Sequence, residues 1–359
     1  MLTLIYFSFR EYFSAKLKKK DVSHTDVYRS LQCWKSNRGG RKSLIISLLE
    51  ADKLARYWHC FPDVYYRFGM FMKDFTDKEL MKSYLPQGAY GRITADKNLN
   101  YHILIDDKIL FHDIMTTYHL PVPERYFVYE AGTFRDHENI LDDDHVNAIL
   151  SVADGDRIYI KRFRGGAASG ISIATKSPTG YVLETGEVLT AEVIRKVFGN
   201  SNYIFEKQLV QDPVLSAFNS DTVNTLRIMT YKDKVVSCSV RMGRRGSFVD
   251  NAAKGGIVCS LDMETGCLEE YGLREYDLTK YYEHPDSHLK FDGVLIPQWP
   301  AAKALVEKTI KIMPYYNSVG FDVATTVDGP VIIEINSGTG VYASQMGKKR
   351  GIADKFNRQ

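Results

Sequence analysis

Few cysteines, no long apolar run and almost no net charge mark this chain, and each shortage closes off a class of protein. Five cysteines in 359 residues are an odd number, and none stands in a CxxC pair. That argues against a disulfide framework and a zinc site, and for a reducing compartment such as the cytoplasm. No apolar stretch approaches the roughly 18–20 residues that a membrane span needs. A net charge of +3 is too small to argue for a nucleic-acid partner. There is no internal repeat and no low-complexity segment. What is present, 44% hydrophobic and 25% charged residues, suits a globular chain long enough for two or three domains.

The small net charge is unevenly spread. Residues 1–60 hold twelve Lys/Arg against five Asp/Glu, including Lys18, Lys19 and Lys20. Leu2, Ile5, Tyr6, Phe9 and Phe13 fall at helical spacing just before those lysines. One reading is an interfacial helix making peripheral contact with an anionic membrane. The other is a first helix docked on the body with a solvated basic end. Arg10 and Glu11 interrupt the apolar stretch, and no small-residue cleavage site follows, so it does not read as a signal peptide.

Residues 1–85 read as a mostly helical, aromatic-rich region. Residues 86–212 read as a first α+β lobe with a linker segment, and 213–359 as a second α+β lobe. NYHILIDD is expected to be a strand entering a turn, DKILFHDIMTTYHL a helix and PVPERYFVY a strand. Strand patterns follow in RIYIKRF, GISIAT, NYIFEKQLV, TLRIMTY, KVVSCSVRMG and GGIVCSLD, with a late helix in KTIKIMPYYNSV. Hairpin-linked strands mixed with helices indicate two α+β lobes around a cleft.

FDVATTVDGPVIIEINSGTG carries most of the chemistry. It reads as two strands joined at Asp328-Gly329, with Asp322 opposite Glu334 and Asn336 on the same face. Two carboxylates and an amide oxygen among Val, Ile and Phe suit a hard cation such as magnesium; an ordinary hairpin with one solvated face is the alternative. Earlier, Lys161 ends a strand before Gly165, Gly166, Ser169 and Gly170, where glycines let backbone N–H groups approach a phosphate. Lys108 opens a helix and offers a second cation. Glu206 could accept ribose hydroxyls, while the backbone from Glu206 through Lys207 to Leu209 could read adenine. Arg227 and Arg241 share strand parity and flank a turn, so both point to one sheet face and need anionic partners there. Asn251 and Gly255-Gly256 follow.

In this order the parts resemble the ATP-grasp superfamily: DK at a helix start, lysine before a glycine loop, EKQLV, arginine strands, N…GG, then D…EIN. The resemblance runs from Asp107 to Gly347. VNTLRIMTY, VRMGRRGSFVDNAAKGG, FDGVLIPQW and VGFDVATTVDGPVIIEIN are most similar to the sugar-transfer-associated ATP-grasp group, with related spacing in glutathione-synthetase-type and ribosomal-protein glutamate ligases. The resemblance implies two lobes clasping ATP. Glu206, Lys207 and Leu209 would lie at adenosine, and Lys108, Lys161, the Gly165–Gly170 loop and Asn251 at the phosphates. Asp322, Glu334 and Asn336 would hold Mg2+. Arg241, with Arg227, would stabilise transfer to a substrate carboxylate, which an amine then converts to an amide. The partners it implies are a small-molecule or glycan-linked carboxylate, such as a uronic acid, and an amine. A kinase, or a non-catalytic nucleotide-binding component of a glycan assembly complex, would use the same residues.

Overall fold

The computed structural model describes residues 2–17, 25–95, 99–137, 139–163, 170–247, 250, 255–274, 278–347 and 350–356. The chain begins with helices α1 (Leu2–Leu17), α2 (Asp26–Ser36), α3 (Leu44–Trp58), α4 (Asp63–Arg67), α5 (Lys78–Ser83) and α6 (Gln87–Ile93). Hydroxyl and carboxylate caps start several of them: Thr25 accepts from Tyr28 N, and Asp77 from Glu79 N and Leu80 N. Their shared core of Leu54, Tyr65, Phe71, Leu85 and neighbours extends onto Met229, Tyr231, Val341 and Phe356 far along the chain.

Two further helices follow, α7 (Ile103–Asp106) and α8 (Lys108–Thr117). The expected strand over NYHILIDD is therefore a correction: a 3-10 turn at Leu99–His102 and α7 occupy it. A short apolar run carries no period long enough to separate strand from helix. Burial of Ile105 beside Phe111 and Met115 of α8 settles it. Asp107 caps α8, accepting from Ile109 N at 3.1 Å and Leu110 N at 3.4 Å.

The first sheet is built from β1 (Arg125–Glu130), β2 (Thr133–Arg135), β3 (Ile140–Leu141), helix α9 (Asp143–Val152), β4 (Arg157–Arg162), β5 (Ile171–Ser177), β6 (Gly180–Leu183), helix α10 (Ala191–Phe198) and β7 (Tyr203–Lys207). Its order is β3-β2-β1-β7-β4-β5-β6, antiparallel throughout. Phe127, Ile158, Ile160 and Phe205 cover one face with Val146 and Leu150 of α9 and Ile194 of α10. Alternation turns Tyr159, Lys161 and Glu206 to the other face.

After α11 (Pro213–Ser216) the second sheet forms from β8 (Thr225–Tyr231), β9 (Lys234–Met242), β10 (Ile257–Leu261), β11 (Leu268–Leu273), helix α12 (Trp299–Ile312), β12 (Gly320–Thr326) and β13 (Gly329–Asn336). Its order is β11-β10-β9-β8-β12-β13. The late helix starts earlier than its sequence pattern suggested, at Trp299-Pro300, and ends before Pro314, which cannot continue it. Leu226, Ile228, Val240, Cys259, Phe321 and Ile335 pack under α12 and α8. The opposite face holds the polar partners of those residues. The α+β expectation, with a helical region ahead of two sheets, is what the structure contains.

Gln345 ties the N-terminal helices to the segment after β13. Fully buried, it accepts from Leu85 N at 2.8 Å and donates to Leu85 O at 3.0 Å and Val341 O at 3.3 Å. Gln345→Leu keeps the volume and strands those backbone groups, at about 1–3 kcal/mol for each group left unpaired. Urea unfolding is expected to show a lower midpoint with an unchanged slope. An unchanged midpoint would show that the segment holds without this side chain.

Candidate nucleotide and metal site

The site follows from the order of strands in the second sheet. Backbone pairing aligns Ser260, Ser239, Arg227, Asp322 and Glu334 in one row across five strands. Arg241 and Thr225 stand side by side in the adjoining row. Antiparallel partners share a face, so the row points its side chains into one cleft.

A one-residue bulge completes it. The hairpin turn is Val327-Asp328, with Thr326 paired to Gly329, one residue earlier than the expected Asp328-Gly329. Gly329, at φ +114°, takes the backbone conformation that the turn demands. Plain alternation from that turn would set Ile333 opposite Asp322. The register shifts between Asp322 and Val323, and Glu334 moves into the cleft instead.

Asp322 is the anionic centre, only 2% exposed. Arg227 places Nε 2.8 Å from Oδ1 and donates through NH2 to Oδ2 at 3.1 Å. The Nε contact is a charge pair without hydrogen-bond alignment, which leaves Oδ1 a lone pair to offer. Arg241 NH2 lies 3.0 Å from Oδ2. Thr225 Oγ1 accepts from Arg241 Nε at 3.2 Å and NH2 at 3.0 Å, and itself donates to Asp250. Gly320 is required beside this cluster, since a Cβ would sit 2.4 Å from Thr339 Oγ1 and 3.1 Å from Arg227 NH1.

Asn336 donates to Asp322 Oδ2 and Glu334 Oε1, each at 3.2 Å. Lys108 Nζ approaches Glu334 Oε2 at 3.9 Å. Ser337 steadies this approach by donating at 2.9 Å to Asp106, the last residue of α7 and two residues before Lys108. From the first sheet, Lys161 Nζ meets Glu206 at 2.5 Å.

Burial pushes the Asp322 carboxyl up to about 7, against the pull of Arg227 and Arg241. Burial acts on Glu334 in the same direction, but Lys108, the hydrogen bond with Asp322 and the two arginines outweigh it and hold Glu334 at about 2. Burial also opposes the Lys161 charge, yet Glu206 and Glu334 keep it above the usual lysine range. Arg227 falls below its ordinary value through burial and the nearby Arg241, whereas Asp250, Asp322 and Glu334 raise Arg241 despite burial.

The structure thus brings together Arg227, Arg241, Lys108, Asp322, Glu334 and Asn336, with Lys161 and Glu206 facing each other on the first sheet. One expectation needs correction. Glu206, expected to be open to ribose, is buried and committed to Lys161. The Lys207 side chain takes the opposite face, to Asp154 at 2.8 Å and Glu124 at 3.4 Å, which leaves its backbone, the part expected at adenine, at the end of the strand beside Leu209. Lys207 and Leu209 line a cavity of about 600 Å³ with Arg157, Tyr159 and Gln211. Gly170 closes the β4–β5 hairpin, its carbonyl accepting from Arg162 N at 3.1 Å. Gly165, Gly166, Ser169 and Asn251 lie outside the described residues. The sequence reading missed Thr225 and Asp250, although Thr225 sits on the Arg227 face by simple alternation.

Among the described residues no three His, Cys, Asp or Glu side chains are assembled to hold a metal. The candidate set has a different make-up, two carboxylates and one amide. It fits a hard cation: Asp322 Oδ1 has no hydrogen-bond donor, and turning the Asn336 amide over brings its oxygen where the nitrogen now points.

A family model described as sugar-transfer associated ATP-grasp matches residues 94–358. The chain belongs to that family. Among solved structures, it is similar to a RimK domain protein ATP-grasp from Sphaerobacter thermophilus, at 13% identity over 67% of this chain and 63% of that one, TM-score 0.37. It is also similar to D-alanine–D-alanine ligase from Bacillus anthracis complexed with ATP, at 12% identity over 70% and 59%, TM-score 0.38. The ATP-grasp ligase PsnB complexed with a minimal precursor matches at 13% identity over 67% and 54%, TM-score 0.35. The chain therefore spans between 54% and 63% of the length of these three proteins. A comparison with curated proteins finds no match. Residues 2–93 of this ATP-grasp protein lie ahead of the matched region and supply the helical core described above.

If Lys161 faces phosphate, Lys161→Ala is expected to weaken ATP binding at least about tenfold and adenosine binding little, as a lost charge contact implies. Calorimetric titration of both ligands checks this. Equal losses would assign Lys161 to holding Glu206 in place.

Proposed function

We propose that this protein is an ATP-dependent carboxylate–amine ligase acting on a sugar carboxylate of the uronic acid type. The observation that carries the reading is the cleft row of Arg227, Asp322 and Glu334 with Lys108 against it. Together with Lys161, Glu206, Arg241 and Asp250, these side chains make four cations and four carboxylates. A buried set of both signs favours a ligand that itself carries both. Mg2+ with ATP is such a ligand: Asp322, Glu334 and Asn336 would hold the metal, and Lys108 and Lys161 would meet phosphate oxygens. The cavity at Leu209 has the volume of a small-ligand pocket, roughly 300–1,000 Å³, and suits the nucleoside. Magnesium, when bound, would neutralise phosphate charge and polarise the γ-phosphoryl group.

The chain's own residues then act by position and charge. A substrate carboxylate oxygen bonds to the γ-phosphorus as the bond to the ADP oxygen breaks. Arg241 and Arg227 are placed to offset the negative charge that spreads over the transferring group. The amine nitrogen attacks the acyl carbon, phosphate leaves, and the nitrogen gives up a proton to water or phosphate. No protein nucleophile is needed.

The test is ADP release across paired sugar carboxylates and amines, with products identified by mass. An amide product supports the reading, and a phosphorylated sugar that persists without amine overturns it. Glu334→Gln should reduce Mg2+-dependent turnover at least about a hundredfold and lower the melting temperature somewhat, because it removes the charge that Lys108 and the arginines meet, so turnover is compared at a temperature where the variant stays folded. Near-normal turnover would remove Glu334 from the site.

Arg241→Lys separates catalysis from structure. Lysine keeps the charge but loses the fork that meets Asp322 and Thr225. A transition-state contact predicts a kcat lower by about 100- to 1,000-fold, with ATP affinity little changed. Single-turnover rates and melting temperature on one preparation check this. A destabilised protein with a normal rate would make Arg241 purely structural.

A further inference from the structure

Among the described residues, Leu4 and Glu11 tie helix α1 to the body. Leu4 is buried and its N–H donates to Asp52 Oδ1 at 3.0 Å, while Glu11 accepts from Asp26 N at 2.7 Å. On the opposite side Leu2, Ile5 and Tyr6 fall within about 100° of the helix circumference. All three face solvent, Leu2 at 85% and Tyr6 at 59% exposure. α1 packs against α3, whose first turn turns Ile45 and Ile46 outward, at 71% and 48%. An apolar face this exposed marks an interaction surface.

The surrounding charge selects the partner. Every described carboxylate from residue 2 to 58 is engaged within the protein. Glu11 receives backbone N–H groups of α2, Asp26 pairs with Arg67, Glu50 with Lys42 at 2.8 Å and Asp52 with Arg56 at 2.9 Å. Arg10, Lys16, Lys35 and Lys53 are exposed. The outward charge of the described residues in this stretch is therefore positive, and the segment 73–78 that meets Lys42 beside it adds Asp74 and Asp77 against Lys73 and Lys78. Two copies meeting face to face would set like charges against each other, which disfavours self-association. An anionic lipid surface offers the opposite charge, an apolar layer for Leu2, Ile5 and Ile45, and an interface that suits Tyr6. Among the described residues no helix is long and apolar enough to cross a membrane, so the contact would be peripheral.

We infer that the outer face of α1 and the start of α3 dock this protein on an anionic membrane surface. The experiment is flotation of the full chain with phosphatidylcholine vesicles, with and without about one-third phosphatidylglycerol. Binding is expected only to the anionic vesicles and to weaken with salt. Ile5→Ser, Tyr6→Ser and Ile45→Ser combined should weaken binding at least about tenfold. Melting temperature should hold, since all three side chains face solvent. Arg10→Gln, Lys16→Gln and Lys53→Gln combined should remove the preference for anionic lipid and serve as an independent arm. Failure of the unmodified protein to float at low salt would overturn the inference, as would unchanged binding in both variants. A concentration-dependent dimer that the apolar variant dissociates, without vesicle binding, would assign the face to a second copy instead.

Discussion

A carboxylate at 2% exposure between two guanidiniums is the constraint around which the second sheet is built. Asp322 cannot be left alone at that depth, because an unpaired buried charge costs several kcal/mol. Arg227 opposes it across the β8–β12 pair, and Arg241 reaches it from the next row. This requires β8 to lie between β9 and β12, which is the strand order found. It also requires glycine at 320, where any side chain would meet Arg227 and Thr339. Arg241 is fixed in turn by Thr225 and Asp250. The apolar residues that alternate with these, Leu226, Ile228, Val240 and Phe321, supply the opposite face and its core under α12. One periodicity of two thus builds the charged cleft and the apolar core that pays for it.

The same arrangement explains why the N-terminal helices matter to a site they do not carry. The segment after Asn336 runs back over the second sheet, where Ser260 Oγ donates to Met346 O at 2.6 Å. Gln87 of α6 accepts from Val341 N at 3.0 Å, Arg67 of α4 lies over the Tyr342 ring at 3.4 Å, and Gln345 clasps Leu85. Those contacts fix the exit of β13 and hence the strand end bearing Glu334 and Asn336. The helical region is a brace on one side, while its apolar outer face remains turned to solvent.

Much of the site was legible in the chain because alternation is a local rule. The shared parity of Glu334 and Asn336 needs only the knowledge that their segment is a strand, whereas Arg227 and Arg241 stand on two strands and owe their common face to a register shift between Met229 and Thr230. The pairing of Asp322 with Glu334 came from a turn placed one residue too late, and the bulge supplied the missing residue. Bulges arise from how neighbouring strands twist against each other, so no single-strand pattern reports them. Glu206 shows the converse: its position at a strand end suggests an open carboxylate, but the fold buries it against Lys161.

The sequence by itself determined the elements and their polarity: TLRIMTY and the D…EIN hairpin as strands, Asp107-Lys108 as a capped helix start, and a basic, aromatic first helix. It determined these because side-chain period, capping and turn chemistry act over a few residues. Only the tertiary structure decided that NYHILIDD is helical, that Lys161 clasps Glu206, that Asp250 joins Arg241, and that residues 2–93 brace the segment beyond Asn336. Those outcomes rest on contacts between residues far apart in the chain, whose strength depends on burial and partner geometry that no local pattern encodes.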